Sequence, residues 1–152
     1  METNEKRAAA KQAPFWSPQQ RTRLNHYPTI TTAGGDLFFV DCNGLIAGKR
    51  ALMCPPSVVE ILVCVAWLEK RVTPRKTPSI GSYAIKHAVE RWSGRYIPNG
   101  AAIIGVYLAG FPQYCEGYAC PLNTDVGISL PSYRRLPEAS ELSVEFLLAE
   151  RS

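Results

Sequence analysis

The sequence lacks the segments and motifs that define most membrane proteins and most enzymes. Its longest apolar run, Val58 to Leu68, contains Glu60 and is shorter than the roughly 20 residues that cross a bilayer. The N-terminus is polar and charged where a signal peptide needs an apolar core. The metalloprotease helix motif, the nucleophile elbow and the phosphate loop are all absent. The sequence therefore predicts a cytoplasmic protein that is not an enzyme and needs no cofactor.

Cysteines and histidines are present, but their spacing does not predict a metal or catalytic site. The chain has five cysteines, at positions 42, 54, 64, 115 and 120, and two histidines, at positions 26 and 87. Structural zinc usually takes its four ligands from two closely spaced pairs, and only Cys115 and Cys120 form such a pair. In a cytoplasmic protein we expect all five cysteines to be reduced thiols. A small cysteine- or zinc-dependent enzyme that uses Cys115, Cys120 or His87 is the third alternative for function.

Positive charge is concentrated in the middle of the chain. Residues 48–95 carry nine basic and three acidic side chains, whereas residues 96–152 carry three basic and six acidic ones. This division predicts one positive and one negative surface. The positive surface is either an ordinary solvated face or a binding site for a polyanion or an acidic protein, and the sequence leaves both open.

Residues 79–111 predict two helices joined by a tight turn. Ser82 is suited to cap the first helix, and Gly94 is suited to end it in the left-handed conformation. Apolar residues recur at spacings of three and four, which places them on one face, and these are Ile85, Ala88, Val89 and Trp92. The polar residues fall on the opposite face, and these are Lys86, His87, Glu90 and Arg91.

The second helix of this pair, over residues 100–109, follows a predicted cap at Asn99 and has no charged side chain. A helix that is apolar all round is normally buried, so we expect Ile103, Ile104 and Tyr107 to lie inside the molecule. A helix-turn-helix DNA reader needs polar side chains on its second helix to reach base edges. The pair is therefore helix-turn-helix-like in outline but not in its chemistry.

Two further elements are predicted before this pair. A hairpin is expected between residues 37 and 53, because Asn43-Gly44 suits the centre of a two-residue turn in which both positions have positive φ. Ser57 and Glu60 have the spacing of a capping box, which predicts a helix start at this point. The helix that follows, over residues 58–72, is apolar on most of its circumference and is the expected central helix of the core.

The chain as a whole predicts one α+β domain over residues 26–152. Residues 1–25 are polar and charged, so we expect a flexible or partner-ordered arm. A last amphipathic helix is expected over residues 137–149. The predicted architecture is an N-terminal β-hairpin or small antiparallel sheet packed on three to four helices.

The candidate binding residues are the cations around the helical pair and the aromatic and imidazole side chains among them. Phosphate contacts need positive charge and approximate geometry, and tyrosines can stack on bases or donate to phosphate. The predicted set is Lys70, Arg71, Arg75, Lys76, Tyr83, Lys86, His87, Arg91, Arg95 and Tyr96. We expect no catalytic and no metal-ligating residues.

About thirty residues of the helical pair resemble a known pattern. The matching residues are Ser82-Tyr83, Lys86-His87, Glu90-Arg91-Trp92, Tyr96, Asn99-Gly100-Ala101 and Gly110-Phe111. This string is similar to small uncharacterised proteins of bacterial plasmids, phages and integrative elements. Those proteins read Ser-Tyr-x-x-Lys-His-x-x-Glu, followed by Tyr-x-x-Asn-Gly-Ala. The resemblance implies a mobile-element setting and no particular activity.

Two binding functions are weighed ahead of the enzyme. The first is a mobile-element accessory protein that interferes with a host nucleic-acid machine, as anti-defence and anti-CRISPR inhibitors do. Its partner would be a host or element-encoded protein complex, with or without nucleic acid, and no membrane. The second is a DNA- or RNA-binding regulator that uses the basic face of the helical pair. The second predicts an affinity that falls steeply with salt.

Overall fold

A computed structural model of the chain describes residues 17–46, 51–115 and 122–135. Within these ranges the protein is α+β, with five helices and two three-stranded antiparallel sheets, which confirms the predicted fold class. The helices are α1 (Pro18–Leu24), α2 (Val58–Arg71), α3 (Ser82–Ser93), α4 (Asn99–Leu108) and α5 (Leu130–Arg134). The strands are β1 (Thr29–Thr31), β2 (Leu37–Asp41), β3 (Gly44–Ile46), β4 (Ile80–Gly81), β5 (Gln113–Tyr114) and β6 (Asp125–Val126).

The core is built around α2 and α4, which pack directly on each other. Helix α2 buries Ile61 and every residue from Val63 to Leu68, as its apolar sequence predicts. The two helices approach closely at Gly105, where an added Cβ would lie 2.6 Å from Cβ of Cys64. Glycine at this position therefore permits the close contact between the two backbones. Helix α3 packs against both helices.

The burial of α4 confirms the main prediction for the helical pair. Every residue from Asn99 to Val106 is buried, including Ile103 and Ile104. The prediction for Tyr107 was wrong, since this side chain is 42 % exposed and its neighbour Leu108 is 60 % exposed. The last turn of the helix extends beyond the elements that cover its first two turns. The sequence did not predict this, because an all-apolar composition contains no information about where the covering elements end.

The first sheet has the order β1-β2-β3 and contains the predicted hairpin, with one shift in its turn. Asp41 pairs with Gly44, so the two loop residues are Cys42 and Asn43 rather than Asn43 and Gly44. The Asp41 carboxylate accepts hydrogen bonds from the backbone N–H groups of Asn43 (2.9 Å) and Gly44 (3.1 Å). Within residues 41–44, only Gly44 has a positive φ, of 136°. An added Cβ there would overlap the carbonyl oxygen of Leu122.

The described end of the predicted N-terminal arm packs on this sheet. Residues 18–24 form α1, and Leu24 is buried against Ile46 in a small second apolar cluster. Tyr27 and Phe39 pack against the same cluster. Residues 1–16 lie outside the described part of the chain, and so does the helix predicted over 137–149.

The second sheet, of order β4-β6-β5, leads directly into α3. Ser82 is the first residue of that helix and is fully buried, so it is not the N-cap that the sequence predicts. Its hydroxyl accepts a hydrogen bond from the Thr124 N–H (3.1 Å), and its own N–H donates to the Thr124 carbonyl (2.8 Å). This pairing fixes the start of α3 beside the segment at residues 122–126.

Candidate functional site

A surface pocket of about 460 Å³ lies where α3, the turn before α4 and the β2–β3 loop meet. Gly94 ends α3 in the left-handed conformation, as predicted, with φ 69°, and the chain then passes through Tyr96 to the start of α4. We call this cavity the tyrosine pocket. Its polar and aromatic lining consists of Tyr83, Lys86, Tyr96, Asn43, Asn99 and Asn123.

Lys86 lies at the floor of the pocket. The prediction that its side chain lies on the open polar face of α3 was therefore wrong. The residue is only 7 % exposed. Its Nζ lies 2.7 Å from Oε1 of Glu90 and 4.7 Å from the ring centroid of Tyr96. The ring centroid of Tyr83 lies 5.7 Å away. A buried ammonium needs such partners, because burial without a carboxylate or an aromatic face is unfavourable.

Glu90 is the acidic residue that holds this arrangement together. Burial raises the pKa of its carboxyl, but the favourable contacts of the carboxylate, led by the hydrogen bond and positive charge of Lys86, together lower it by more, so the pKa lies below its usual value. The backbone N–H of Ile97 and the His87 side chain act in the same direction. His87 Nδ1 lies 3.1 Å from the same carboxylate oxygen. Glu90 is therefore ionised at neutral pH and keeps Lys86 in place.

The two tyrosines are exposed residues, although both rings lie close to the buried ammonium of Lys86. Tyr83 is 53 % exposed and Tyr96 is 71 % exposed. The rings of His87 and Tyr83 meet in an edge-to-face arrangement, with 4.5 Å between their centroids. Large aromatic side chains in solvent are normal when scattered singly. Here two of them border one pocket and contact the same cation.

Asn99 contributes a buried oxygen with no hydrogen-bond partner. The residue is 6 % exposed, and its Nδ2 donates to the Asn43 carbonyl (3.0 Å) and to Oδ1 of Asn123 (2.8 Å). These acceptors fix the orientation of the amide. Among the residues that the structure describes, nothing donates to its Oδ1. The prediction that Asn99 caps α4 was wrong, since the cap is Pro98 and the Asn99 side chain reaches across to the hairpin loop instead.

The other predicted binding residues lie outside the lining of the tyrosine pocket. Lys70, Arg75, Lys76 and Arg91 are exposed. Arg71 and Arg95 are half-buried. The Arg71 guanidinium lies 6.0 Å from the ring centroid of Trp92, and it lines a second depression of about 350 Å³ together with Lys70 and Arg135.

The structure therefore divides the ten predicted residues into two groups. Three of them, Tyr83, Lys86 and Tyr96, line one pocket, and His87 contacts that group through Tyr83 and Glu90. The asparagines at positions 43 and 123 were not predicted as site residues. The only sequence signal for them was the Asn-Gly at the hairpin, which indicated a turn rather than a site.

The cysteines are only partly as expected. Cys42, Cys54 and Cys64 are free thiols, but Cys115 is disulfide-bonded, so the prediction of five reduced cysteines was wrong. The sequence carries no direct signal for the oxidation state of a thiol.

The Cys42 N–H donates to the Cys54 carbonyl at 2.7 Å, and their thiols share a hydrogen bond. Cys64 is fully buried in the core, which raises the pKa of its thiol.

Metal-binding and membrane-spanning features are absent from the described ranges 17–46, 51–115 and 122–135. No group of three or more His, Cys, Asp and Glu residues there could hold a metal ion. None of the described helices combines the length and the apolar character needed to span a bilayer. Comparisons of the chain with protein-family models, with curated proteins and with solved structures found no match.

Proposed function

We propose that this chain is a non-enzymatic accessory protein of a mobile element, and that it binds a host nucleic-acid machine through the tyrosine pocket. It would act in the cytoplasm as an inhibitor of the anti-defence or anti-CRISPR type, by occupying a surface that the machine needs. The observation that carries the proposal is the arrangement around Lys86, which two exposed tyrosines flank. The resemblance of the helical pair to mobile-element proteins supplies the setting.

The chemistry of the pocket favours recognition over turnover. Tyrosine is enriched at protein interfaces, where it supplies a large rigid ring and a polar hydroxyl. Lys86 is paired with Glu90 at 2.7 Å, so its ammonium is fixed beside the two rings. A surface of rigid rings and fixed amides binds a partner with little loss of side-chain entropy.

Affinity capture from the natural host tests the proposal. The bait is compared with a Tyr83→Ala/Tyr96→Ala double variant and with Tyr107→Ala, which removes an exposed ring away from the pocket. We expect wild type and Tyr107→Ala to retain the same multi-protein nucleic-acid complex after nuclease treatment, and the double variant to lose it. Equal capture by all three baits would contradict the proposed role of the pocket.

A second candidate function is a nucleic-acid-binding regulator that uses the exposed cations. It is favoured by the exposure of Lys70, Arg75, Lys76 and Arg91, since phosphate contacts need accessible positive charge. It predicts capture of nucleic acid that disappears after nuclease treatment. It also predicts that a triple variant, Arg75→Glu/Lys76→Glu/Arg91→Glu, no longer binds, while the Tyr83→Ala/Tyr96→Ala double variant still binds.

A further inference from the structure

We infer that Cys42 and Cys54 form a site of reversible thiol oxidation, and that the disulfide between them holds one wall of the tyrosine pocket in its binding conformation. The oxidant is a small disulfide or a hydroperoxide. The part that concerns the partner rests on the proposed function, because it takes the tyrosine pocket as the recognition surface. Reversible oxidation suits the proposed cytoplasmic setting, since disulfides there are usually transient and redox-sensing.

The first support is the contact between two free thiols from separate segments of the chain. The Cys42 N–H donates to the Cys54 carbonyl at 2.7 Å, and the two side chains share a hydrogen bond. With standard backbone dimensions, this backbone hydrogen bond limits the separation of the two Cα atoms to at most about 6.6 Å. Disulfides span Cα separations of about 4.4–6.8 Å. The bond can therefore form with the backbone in place.

The second support is the difference in exposure between the two thiols. Cys54 is exposed, whereas Cys42 is half-buried and its thiol has a raised pKa because of burial. The Cys54 thiolate therefore attacks first, breaks the S–S bond of a small disulfide and releases one small thiolate. The Cys42 thiolate then attacks the Cys54 sulfur and releases the second. The two thiol protons pass to these leaving groups, and the oxidant has gained two electrons.

The third support is the position of Cys42 in the wall of the tyrosine pocket. Cys42 and Asn43 both line this pocket. The Cys42 carbonyl accepts a hydrogen bond from the Gly100 N–H (3.0 Å), and the Asn43 carbonyl accepts one from Nδ2 of Asn99 (3.0 Å). On this side the hairpin loop is therefore bonded to the start of α4.

On its other side the hairpin loop is attached to residues 53 and 54 by hydrogen bonds. One is the backbone bond between Cys42 and Cys54. In another, the Met53 N–H donates to the Asp41 carboxylate at 3.4 Å, which is long for such a bond. A disulfide makes this attachment covalent. A wall that is fixed in its bound conformation loses less entropy on binding, so oxidation should raise the affinity for the partner.

Backbone hydrogen exchange in the purified full chain tests the effect on the pocket wall without any partner. The protein is equilibrated with oxidised or with reduced glutathione, and the glutathione is then removed. We expect oxidation to slow the exchange of the Asn43, Gly44 and Gly100 N–H groups by about tenfold, because the crosslink opposes local opening of the loop. The melting temperature should rise by about 5 °C.

Cys54→Ser is the matched control, because Cys54 is exposed and its replacement leaves the fold intact. This variant keeps the disulfide-bonded Cys115, which reduced glutathione can also reach. We expect its loop exchange and its melting temperature to show none of the rise in protection that oxidation gives the wild type. An equal redox effect in Cys54→Ser, or no effect in the wild type, would overturn the inference.

The effect on recognition is measured with the host complex that affinity capture identifies. Only the purified chain is oxidised, and the oxidant is removed before mixing, so the complex itself is unchanged. We expect the oxidised wild type to bind about fivefold more tightly than the reduced protein, and Cys54→Ser to bind like the reduced wild type after both treatments. Equal or weaker binding after oxidation would overturn the role of the disulfide in recognition.

The failure of this inference can be told apart from the failure of the proposed function. If oxidation protects the hairpin loop but no host complex is captured in either redox state, the oxidation site holds and the proposed function is wrong. If capture depends on Tyr83 and Tyr96 but is the same before and after oxidation, the proposed function holds and the redox inference is overturned.

Discussion

The ammonium of Lys86 and the carboxylate of Glu90 form a 2.7 Å ion pair one helical turn apart, beneath the rings of Tyr83 and Tyr96. The pair connects the stability of α3 to the shape of the tyrosine pocket. Without this ion pair, the ammonium that lies near both tyrosine rings would no longer be held in place, and the pocket would lose its floor.

Replacing Lys86 by Met should destabilise the protein by about 2 kcal/mol, because the change leaves the Glu90 carboxylate partly buried without its cation. The free energy of unfolding, measured by urea denaturation, checks this value. Lys76→Met is the matched control, since Lys76 is exposed, and surface changes of this kind stay within about 0.5 kcal/mol. Equal stability of the two variants would show that the ion pair contributes nothing.

The same pair predicts how stability depends on pH. The pKa of Glu90 is lowered in the folded state, so its contribution is complete above the unfolded pKa of about 4.3 and is lost as the pH falls through the folded value. The stabilisation by Glu90, measured as the difference in unfolding free energy between wild type and Glu90→Gln, should therefore still be present at about pH 5. Below about pH 4 it should shrink. A difference that grows as the pH falls below about 4 would contradict this account.

Gly100 is predicted to be essential for folding. A Cβ at this position would overlap the carbonyl oxygen of Asp41, which is backbone and cannot move aside. Gly100→Ala should therefore cost at least about 3 kcal/mol or prevent folding. Gly34→Ala is the control, because a Cβ there meets only the Thr32 hydroxyl at 3.9 Å. Circular dichroism during thermal unfolding would distinguish the two variants, and a normal melting temperature for Gly100→Ala would contradict the close contact.

Mild oxidation should join Cys42 to Cys54. Their backbones are hydrogen-bonded at 2.7 Å and their thiols share a hydrogen bond, which brings the two sulfurs within reach of each other. Hydrogen peroxide would take one hydrogen from each thiol and leave as two molecules of water. Burial and the Cys54 thiol raise the pKa of Cys42, so the reaction should quicken as the pH rises, because the thiolate is the nucleophile.

Peptide mapping by mass spectrometry would identify the bond, and Cys42→Ser should abolish it. Cys64 is the internal control, since its burial in the core predicts that it stays unmodified. Finding only sulfenic or sulfonic acid at Cys54, with no crosslink, would show that the two sulfurs do not meet in solution.

The positions and the burial of the helices could be predicted from the sequence wherever a single local pattern determines them. The lack of charge in residues 100–106 predicted the buried α4, and the apolar run before Lys70 predicted the central helix. The hairpin turn was misplaced by one residue, since Gly44 is needed for its contact with Leu122, which is far away in the chain. Local turn preferences contain no information about that contact.

The site was harder to predict, because its parts come from four separate segments. A helical wheel places Lys86 on the polar face of α3, but Tyr96 from the following turn lies over the ammonium and buries it. Asn43, Asn99 and Asn123 meet only through the hydrogen bonds of the Asn99 amide. Their spacing along the chain gives no sign of this meeting. Tyr83 and Tyr96 were predicted from their position among the cations, although most of those cations lie elsewhere.

The most direct test of the pocket as the recognition surface is an NMR titration of isotope-labelled protein with the host partner that affinity capture identifies. We expect the largest shift changes at the Asn99 side-chain amide and at the backbone amides of Tyr83 and Tyr96. The resonances of Lys70, Arg75 and Lys76 should stay in place. Shift changes confined to those three cations, with none at the tyrosine pocket, would contradict the account.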